Sequence, residues 1–68
     1  MYARILRKAA HTRRFTITHA SLAGWEVREE EDTQVIRRRR YDDWHRVERA
    51  RLSFAAEAVV LRDAGWVE

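Results

Sequence analysis

The sequence contains no cysteine and no proline, and its only glycines are Gly24 and Gly65. Without cysteine, neither a disulfide nor a thiolate metal site can stabilise the chain. Two isolated glycines cannot build the glycine-rich loop that cradles a phosphate in nucleotide-binding proteins. A chain of 68 residues is at most one domain. Its stability depends on one small hydrophobic core, and self-association is the remaining source of additional stability.

Long uncharged runs are also missing from the sequence. The longest covers residues 15–25, which is too short and too polar to span a membrane. The basic segment 1–14 lacks the apolar stretch of a signal peptide. We therefore expect no membrane partner and a cytoplasmic location.

Patterns typical of catalysis or metal binding are scarce. The three histidines, His11, His19 and His45, fall in separate segments without metal-ligand spacing. The acidic run 29–32 lacks the spaced ligands and the glycine of a calcium loop. No serine or threonine lies in a nucleophile motif. The sequence predicts no enzyme, no catalytic residue, no metal, no cofactor and no small-molecule substrate.

Charge is present in abundance, and it is arranged in blocks. Residues 1–25 carry five basic side chains and no acid, whereas residues 26–32 hold five acids and one arginine. Residues 33–41 hold the arginine run at 37–40, and residues 42–68 combine six acids with four arginines. This pattern indicates a surface with separate positive and negative regions.

The C-terminal segment has the pattern of an amphipathic helix. Its apolar residues recur at steps of three or four, which is the spacing of one helix face. They are Trp44, Val47, Ala50, Phe54, Ala58 and Leu61. Asp42 is suited to cap the start of the helix. Gly65 is suited to end it, with Trp66 and Leu61 as the hydrophobic pair of a Schellman motif. We predict a helix over 43–64, with its cap reaching residue 66.

The segment before the helix predicts antiparallel strands. Residues 14–19 and 25–28 alternate apolar and polar side chains, as half-buried strands do. A turn is predicted at 21–24, and a polar hairpin tip at 29–33 leads to a return strand at 34–41. The strands thus occupy residues 14–41 of a single domain that covers residues 1–68.

The register of this hairpin is open. With the turn centred at 31–32, Val27 faces Ile36 and Glu26 faces Arg37, which pairs apolar with apolar and acid with base. Because the turn contains neither Asn-Gly nor Asp-Gly, a longer loop is an alternative.

The N-terminal segment, residues 1–13, is ambiguous. Tyr2, Ile5, Leu6 and Ala9 have helical spacing, but so short a helix is unstable alone. We predict a basic arm or a short helix. The fold class is then α+β, with an antiparallel sheet of about three strands packed against one long C-terminal helix. The predicted core consists of Phe15, Ile17, Trp25, Val27, Trp44, Val47, Phe54 and Leu61.

Arginines are the candidate nucleic-acid contacts, because they bind phosphates. The candidates are Arg13, Arg14, Arg37, Arg38, Arg39 and Arg40. Successive strand residues face opposite sides, so the run at 37–40 gives two arginines to each face. We expect these arginines to approach one another at one end of the sheet, remote from the acidic tip. Phe15, Trp25 and Tyr41 could stack on bases, but core packing and edge protection compete with these roles.

The second half of the helix has an apolar arc too wide for one contact surface. The residues concerned are Leu52, Ala55, Ala56, Val59 and Val60. Left in water they would form a patch that monomers avoid, which indicates a homodimer interface unless Ile5 and Leu6 cover it. The sequence thus predicts a non-enzymatic binding module. Its function is sequence-independent nucleic-acid binding or, alternatively, a homodimeric interaction role.

Two strings, GWEVREEE at 24–31 and YDDWHRVERA at 41–50, resemble a group of small uncharacterised bacterial proteins in which strands precede a helix. The resemblance covers residues 14–66 and implies a fold without an activity. In element order alone, the chain also resembles the single-stranded-DNA-binding transcriptional coactivators, whose dimers pair their helices. No motif of that family is present, so no residue role carries over.

Overall fold

Four strands and one helix make up the fold, in a computed structural model that describes residues 2–19 and 24–68. The elements are β1 (Tyr2–Lys8), β2 (His11–His19), β3 (Trp25–Glu31), β4 (Gln34–Tyr41) and α1 (Trp44–Asp63). The strands pair antiparallel in chain order, and α1 packs on one face of the sheet. The α+β class is confirmed, with four strands rather than about three. Positions 21–23 of the predicted turn lie outside the described residues.

Strand β1 replaces the arm or short helix expected at the N-terminus. It pairs with β2 from Tyr2 opposite Ile17 to Lys8 opposite His11. Leu6 is fully buried against the core. Pairing with β2 satisfies the backbone groups of β1 that point toward β2, whereas an isolated helix of this length would be marginal. Ala9 takes a left-handed conformation, φ 54°, at the turn between the strands.

The β3–β4 hairpin has a different register from the one that charge pairing favoured. Its turn is Asp32-Thr33, and Asp32 is left-handed with φ 58°. Glu30 opposes Val35, but Glu29 opposes Arg37. Ile36, between them, is therefore an extra residue in β4. This β-bulge reverses which side chains of β4 face the helix from there onward.

The core lies between the sheet and α1. The buried apolar residues are Leu6, Phe15, Ile17, Val27, Val47, Phe54, Ala58 and Leu61. Two expected members differ, because Trp25 only packs on the margin of the core and Trp44 is 53% exposed. Trp44 is the first residue of α1, and Trp25 is the first of β3. Both therefore lie where the layers end, and not between them.

Both ends of α1 are capped by side-chain or backbone groups. Asp43, one residue later than predicted, accepts a hydrogen bond from the His45 amide at 3.0 Å. At the other end the Trp66 amide donates to the Leu61 carbonyl at 3.0 Å. Gly65 has φ 100°. The predicted Schellman motif is confirmed.

Gly65→Ala is expected to destabilise the fold by about 1 kcal/mol, because alanine resists a left-handed conformation. A Cβ at this position would meet only the Lys8 side chain, at 3.5 Å, so backbone strain is the whole cost. Urea unfolding measures the difference. Gly65→Asn, which tolerates this conformation better, should lose less. An unchanged midpoint for the alanine variant would contradict the assigned cap.

The outer edge of β1 is partly covered by the end of the chain. The Arg7 amide donates to the Val67 carbonyl at 2.7 Å, and the Val67 amide donates back at 2.8 Å. Arg4 donates to both oxygens of the Glu68 carboxylate, at 3.0 and 2.5 Å. This bidentate pair raises the pKa of Arg4 and lowers the pKa of Glu68. Within the described part of the chain, β4 forms the opposite edge of the sheet.

Candidate nucleic-acid interface

A groove of about 510 Å³ runs between β4 and α1. Strand β4 contributes Arg37 and Arg39 to its walls, and α1 contributes Arg46 and Arg49. We call it the arginine groove. Apolar and aromatic residues form the rest of its lining together with Ser53. They are Val27, Tyr41, Ala50 and Phe54. The groove therefore combines cationic walls with a largely apolar floor.

Local geometry explains why these four arginines meet. The bulge at Ile36 determines which residues of β4 point toward the helix. Arg37 opposes Glu29 and Arg39 opposes Val27. Because Glu29 and Val27 face the helix, Arg37 and Arg39 do so too. Without the extra residue, the other two arginines of the run would face α1. On α1, Arg46 and Arg49 are three residues apart and share one side of the helix, and this side lines the groove opposite β4.

Within residues 2–19 and 24–68, no acid pairs with an arginine of the groove. All four arginines are exposed. At one end, Glu29 and Glu57 share a smaller cleft with Arg37, so the positive potential weakens toward that end. A concave surface lined by charge of one sign concentrates counter-ions.

Arg38 and Arg40, the other half of the run, lie on the face of the sheet that points away from α1, which we call the open face. Both approach the carboxylate of Glu26, Arg40 at 3.6 Å and Arg38 at 3.9 Å. Arg28 donates to the same carboxylate at 2.9 Å and lies 3.6 Å from Glu30. Arg38 and Arg40 therefore have an acidic partner, whereas the groove arginines have none in the described part of the chain.

Arg13 and Arg14 do not form a patch with the run remote from the acidic tip, contrary to expectation. Strand β3 separates β2 from β4, and the two arginines oppose Glu31 and Glu30 beside the acidic tip. Arg13 is largely buried and forms an ion pair with the buried Glu29. Its charge is thus committed to the interior of the fold. Arg14 is exposed on the open face.

The aromatic candidates divide between the core and the groove. Phe15 is fully buried and unavailable for stacking. Tyr41 is half-buried and lines the arginine groove, and it opposes Trp25 across the sheet. The Trp25 ring lies 5.3 Å from that of Trp44, and His19 continues the row at 5.4 Å from Trp25. Trp25, Trp44 and His19 line a separate cleft on the other side of α1, so Tyr41 is the aromatic candidate that lies in the groove.

Sequence reasoning missed two residues of the groove and misplaced a third residue, Trp44, which lies outside it. Arg46 and Arg49 were hidden because residues 42–68 carry net negative charge, although their spacing of three gave a signal that they share one side of the helix. Trp44 was assigned to the core because it fits the apolar repeat. Only its position at the first helical residue distinguishes it from the buried members of that repeat.

Most of the helix residues predicted to form a dimer interface are exposed in the structure. Leu52, Val59 and Val60 are 57%, 55% and 61% exposed. Ala56 is exposed as well, and Ala55 is half-buried.

The N-terminal segment does not cover this patch. Leu6 is buried in the core, and Ile5, its neighbour in β1, points to the opposite side of the sheet. The alternative in which these two residues shield the helix is therefore wrong.

Over the described residues, no group of histidine and acidic side chains is arranged to hold a metal ion. The helix in that part of the chain lacks the apolar character needed to cross a membrane. Comparison with family models, curated proteins and solved structures gives no match for this chain.

Proposed function

We propose that the protein is a non-enzymatic nucleic-acid-binding module whose arginine groove contacts the phosphate backbone without sequence preference. One observation carries the proposal: four exposed arginines, none of which has an acidic partner among the residues that the structure describes, line a single groove. Guanidinium groups bind phosphate oxygens through paired N–H donors. Neutralising phosphates releases condensed counter-ions, which supplies affinity independent of sequence.

An aromatic residue in the groove favours a single strand over a duplex. The half-buried Tyr41 ring lines the groove together with the arginines. Unpaired bases stack on such rings, whereas bases inside a duplex are already stacked on one another. Binding of this kind is tolerant of sequence, because every base offers an aromatic face.

The test compares two double variants of the same strand. Arg37→Gln with Arg39→Gln removes two charges from the arginine groove. Arg38→Gln with Arg40→Gln removes two charges from the open face. We expect the groove variant to bind single-stranded oligonucleotides more weakly. The magnitude of the slope of log affinity against log salt concentration should decrease by about 1 to 2, as expected when roughly two phosphate contacts are lost.

The open-face variant is the matched control, because its net charge is the same. It should retain most of the affinity and of the salt slope. An equal loss of affinity in both variants would show that the groove is not the specific binding site. If neither single-stranded nor duplex oligonucleotides bind at low salt, the proposed function is wrong. Circular dichroism of both variants checks that the fold is intact.

A further inference from the structure

The outward surface of α1 carries a second regular pattern, which we call the outer seam. Its members are Arg49, Leu52, Ala56, Val59 and Asp63, and all five are exposed. They follow one another at steps of three, four, three and four residues. That spacing averages 3.5 residues, which is the repeat of a helix that packs along another helix. Val60 flanks the seam and is 61% exposed.

The outer seam is separate from the face that builds the core. The helical residues buried on the sheet are Val47, Phe54, Ala58 and Leu61. At 100° per residue, these cluster opposite the seam. The sheet therefore cannot cover the seam, and the N-terminal strand lies elsewhere. Three large aliphatic side chains are left more than half exposed on one helix surface, which soluble monomers avoid.

The sequence of the seam is self-complementary about Ala56. Leu52 lies four residues before it and Val60 four residues after it, while Arg49 and Asp63 lie seven residues to either side. Two antiparallel copies related by a two-fold axis at Ala56 would place Leu52 against the partner's Val60. Arg49 would meet the partner's Asp63. The alanine at the axis allows the two helices to approach closely.

A parallel pair would fail on the same residues. It would place Asp63 beside the partner's Asp63 and Arg49 beside the partner's Arg49, which are repulsive contacts. The end charges therefore select the antiparallel arrangement, just as complementary charges fix register in other helix pairs. Symmetric self-association of this kind is the commonest mode of oligomerisation.

We infer that the outer seam is the contact surface for a second copy of this chain, in an isologous antiparallel helix pair centred on Ala56. The inference does not depend on nucleic-acid binding. Arg49 belongs to both surfaces, so pairing with the partner's Asp63 leaves Arg37, Arg39 and Arg46 as the free cations of the groove.

The first test uses the absence of cysteine. Ala56→Cys places one thiol at the proposed axis, where the two copies of position 56 meet. Mild oxidation at micromolar concentration should convert most of it to a disulfide-linked dimer. Ala3→Cys, an alanine replacement at an exposed position on β1, is the control and should remain largely monomeric. Equal crosslinking of the two variants, or none at position 56, would overturn the inference.

The second test reverses the charges that fix the orientation. Asp63→Arg and Arg49→Glu should each weaken the dimer by about tenfold in sedimentation experiments, because two attractive contacts become repulsive. The double variant should return to near the original affinity. Failure of the double variant to recover would exclude the antiparallel pairing. A wild-type protein that stays monomeric at all concentrations would exclude the dimer.

Discussion

Gly24→Ala is expected to destabilise the fold by about 2–5 kcal/mol, through strain and overpacking together. A Cβ at residue 24 would lie 2.2 Å from the Tyr41 carbonyl oxygen and 2.9 Å from the Asp42 Cα. Both are backbone atoms at the junction of β4 with α1, so no side-chain rotation can relieve the overlap. The φ of Gly24, 87°, adds a conformation that alanine resists.

Equilibrium urea unfolding measures this loss, and Gly65→Ala is the matched control. The two glycines share a positive φ, but only Gly24 has backbone within overlap distance. The Gly24 variant should therefore lose at least about twice as much stability as the Gly65 variant. An equal loss of stability in the two variants would mean that the backbone of Tyr41 and Asp42 does not pass so close to residue 24.

Phe54→Ala should leave the protein unfolded under ordinary conditions. The side chain is 5% exposed, and its ring centroid lies 4.9 Å from that of Phe15 and 6.3 Å from that of Tyr2. Removing a buried phenylalanine costs about 3–5 kcal/mol. A domain of this size is held by a similar free energy in total, so little stability would remain.

Circular dichroism and amide dispersion in NMR spectra would show the loss of the fold. Leu52→Ala is the control, since it removes a large apolar side chain from the same helix at an exposed position. In the monomer it should cost less than about 1 kcal/mol. Cooperative unfolding retained by Phe54→Ala would show that the ring is not central to the core.

The helix and its end were predictable because their signals are local. The apolar repeat, an acidic cap at the start and Gly65 followed by Trp66 all act within a few residues of one another. The shift of the N-cap from Asp42 to Asp43 is within the usual uncertainty of helix boundaries. Strand β2 was also visible, because Phe15 and Ile17 alternate with threonines.

The first strand and the hairpin register were not predictable from local pattern. The apolar residues of β1 fit helical spacing, and only pairing with β2 decides in favour of a strand. In the hairpin, charge pairing favoured Glu26 opposite Arg37, but the two-residue turn and the bulge at Ile36 place it opposite Arg40. Register depends on turn geometry and burial as much as on side-chain attraction.

The candidate site was predictable only in part, because it is assembled from distant segments. The arginine run is obvious in the sequence, and its division between two faces follows from strand geometry alone. Which pair faces the helix depends on the bulge. The contribution of Arg46 and Arg49 depends on how α1 crosses the sheet. The ion pair of Arg13 could not be predicted, because its partner, Glu29, is distant in sequence and adjacent in space.

The chain-order pairing of the strands bears on how the protein folds. Each strand hydrogen-bonds to its neighbour in sequence, and two-residue turns join β1 to β2 and β3 to β4. Every hairpin therefore closes over a short stretch of chain, at a small entropic cost. Pairing between sequence neighbours favours faster folding than a sheet of the same size built from distant strands. The pairing of Arg7 with Val67 spans almost the whole chain. We therefore expect this bridge to form after α1 has docked, when its two ends are already close together.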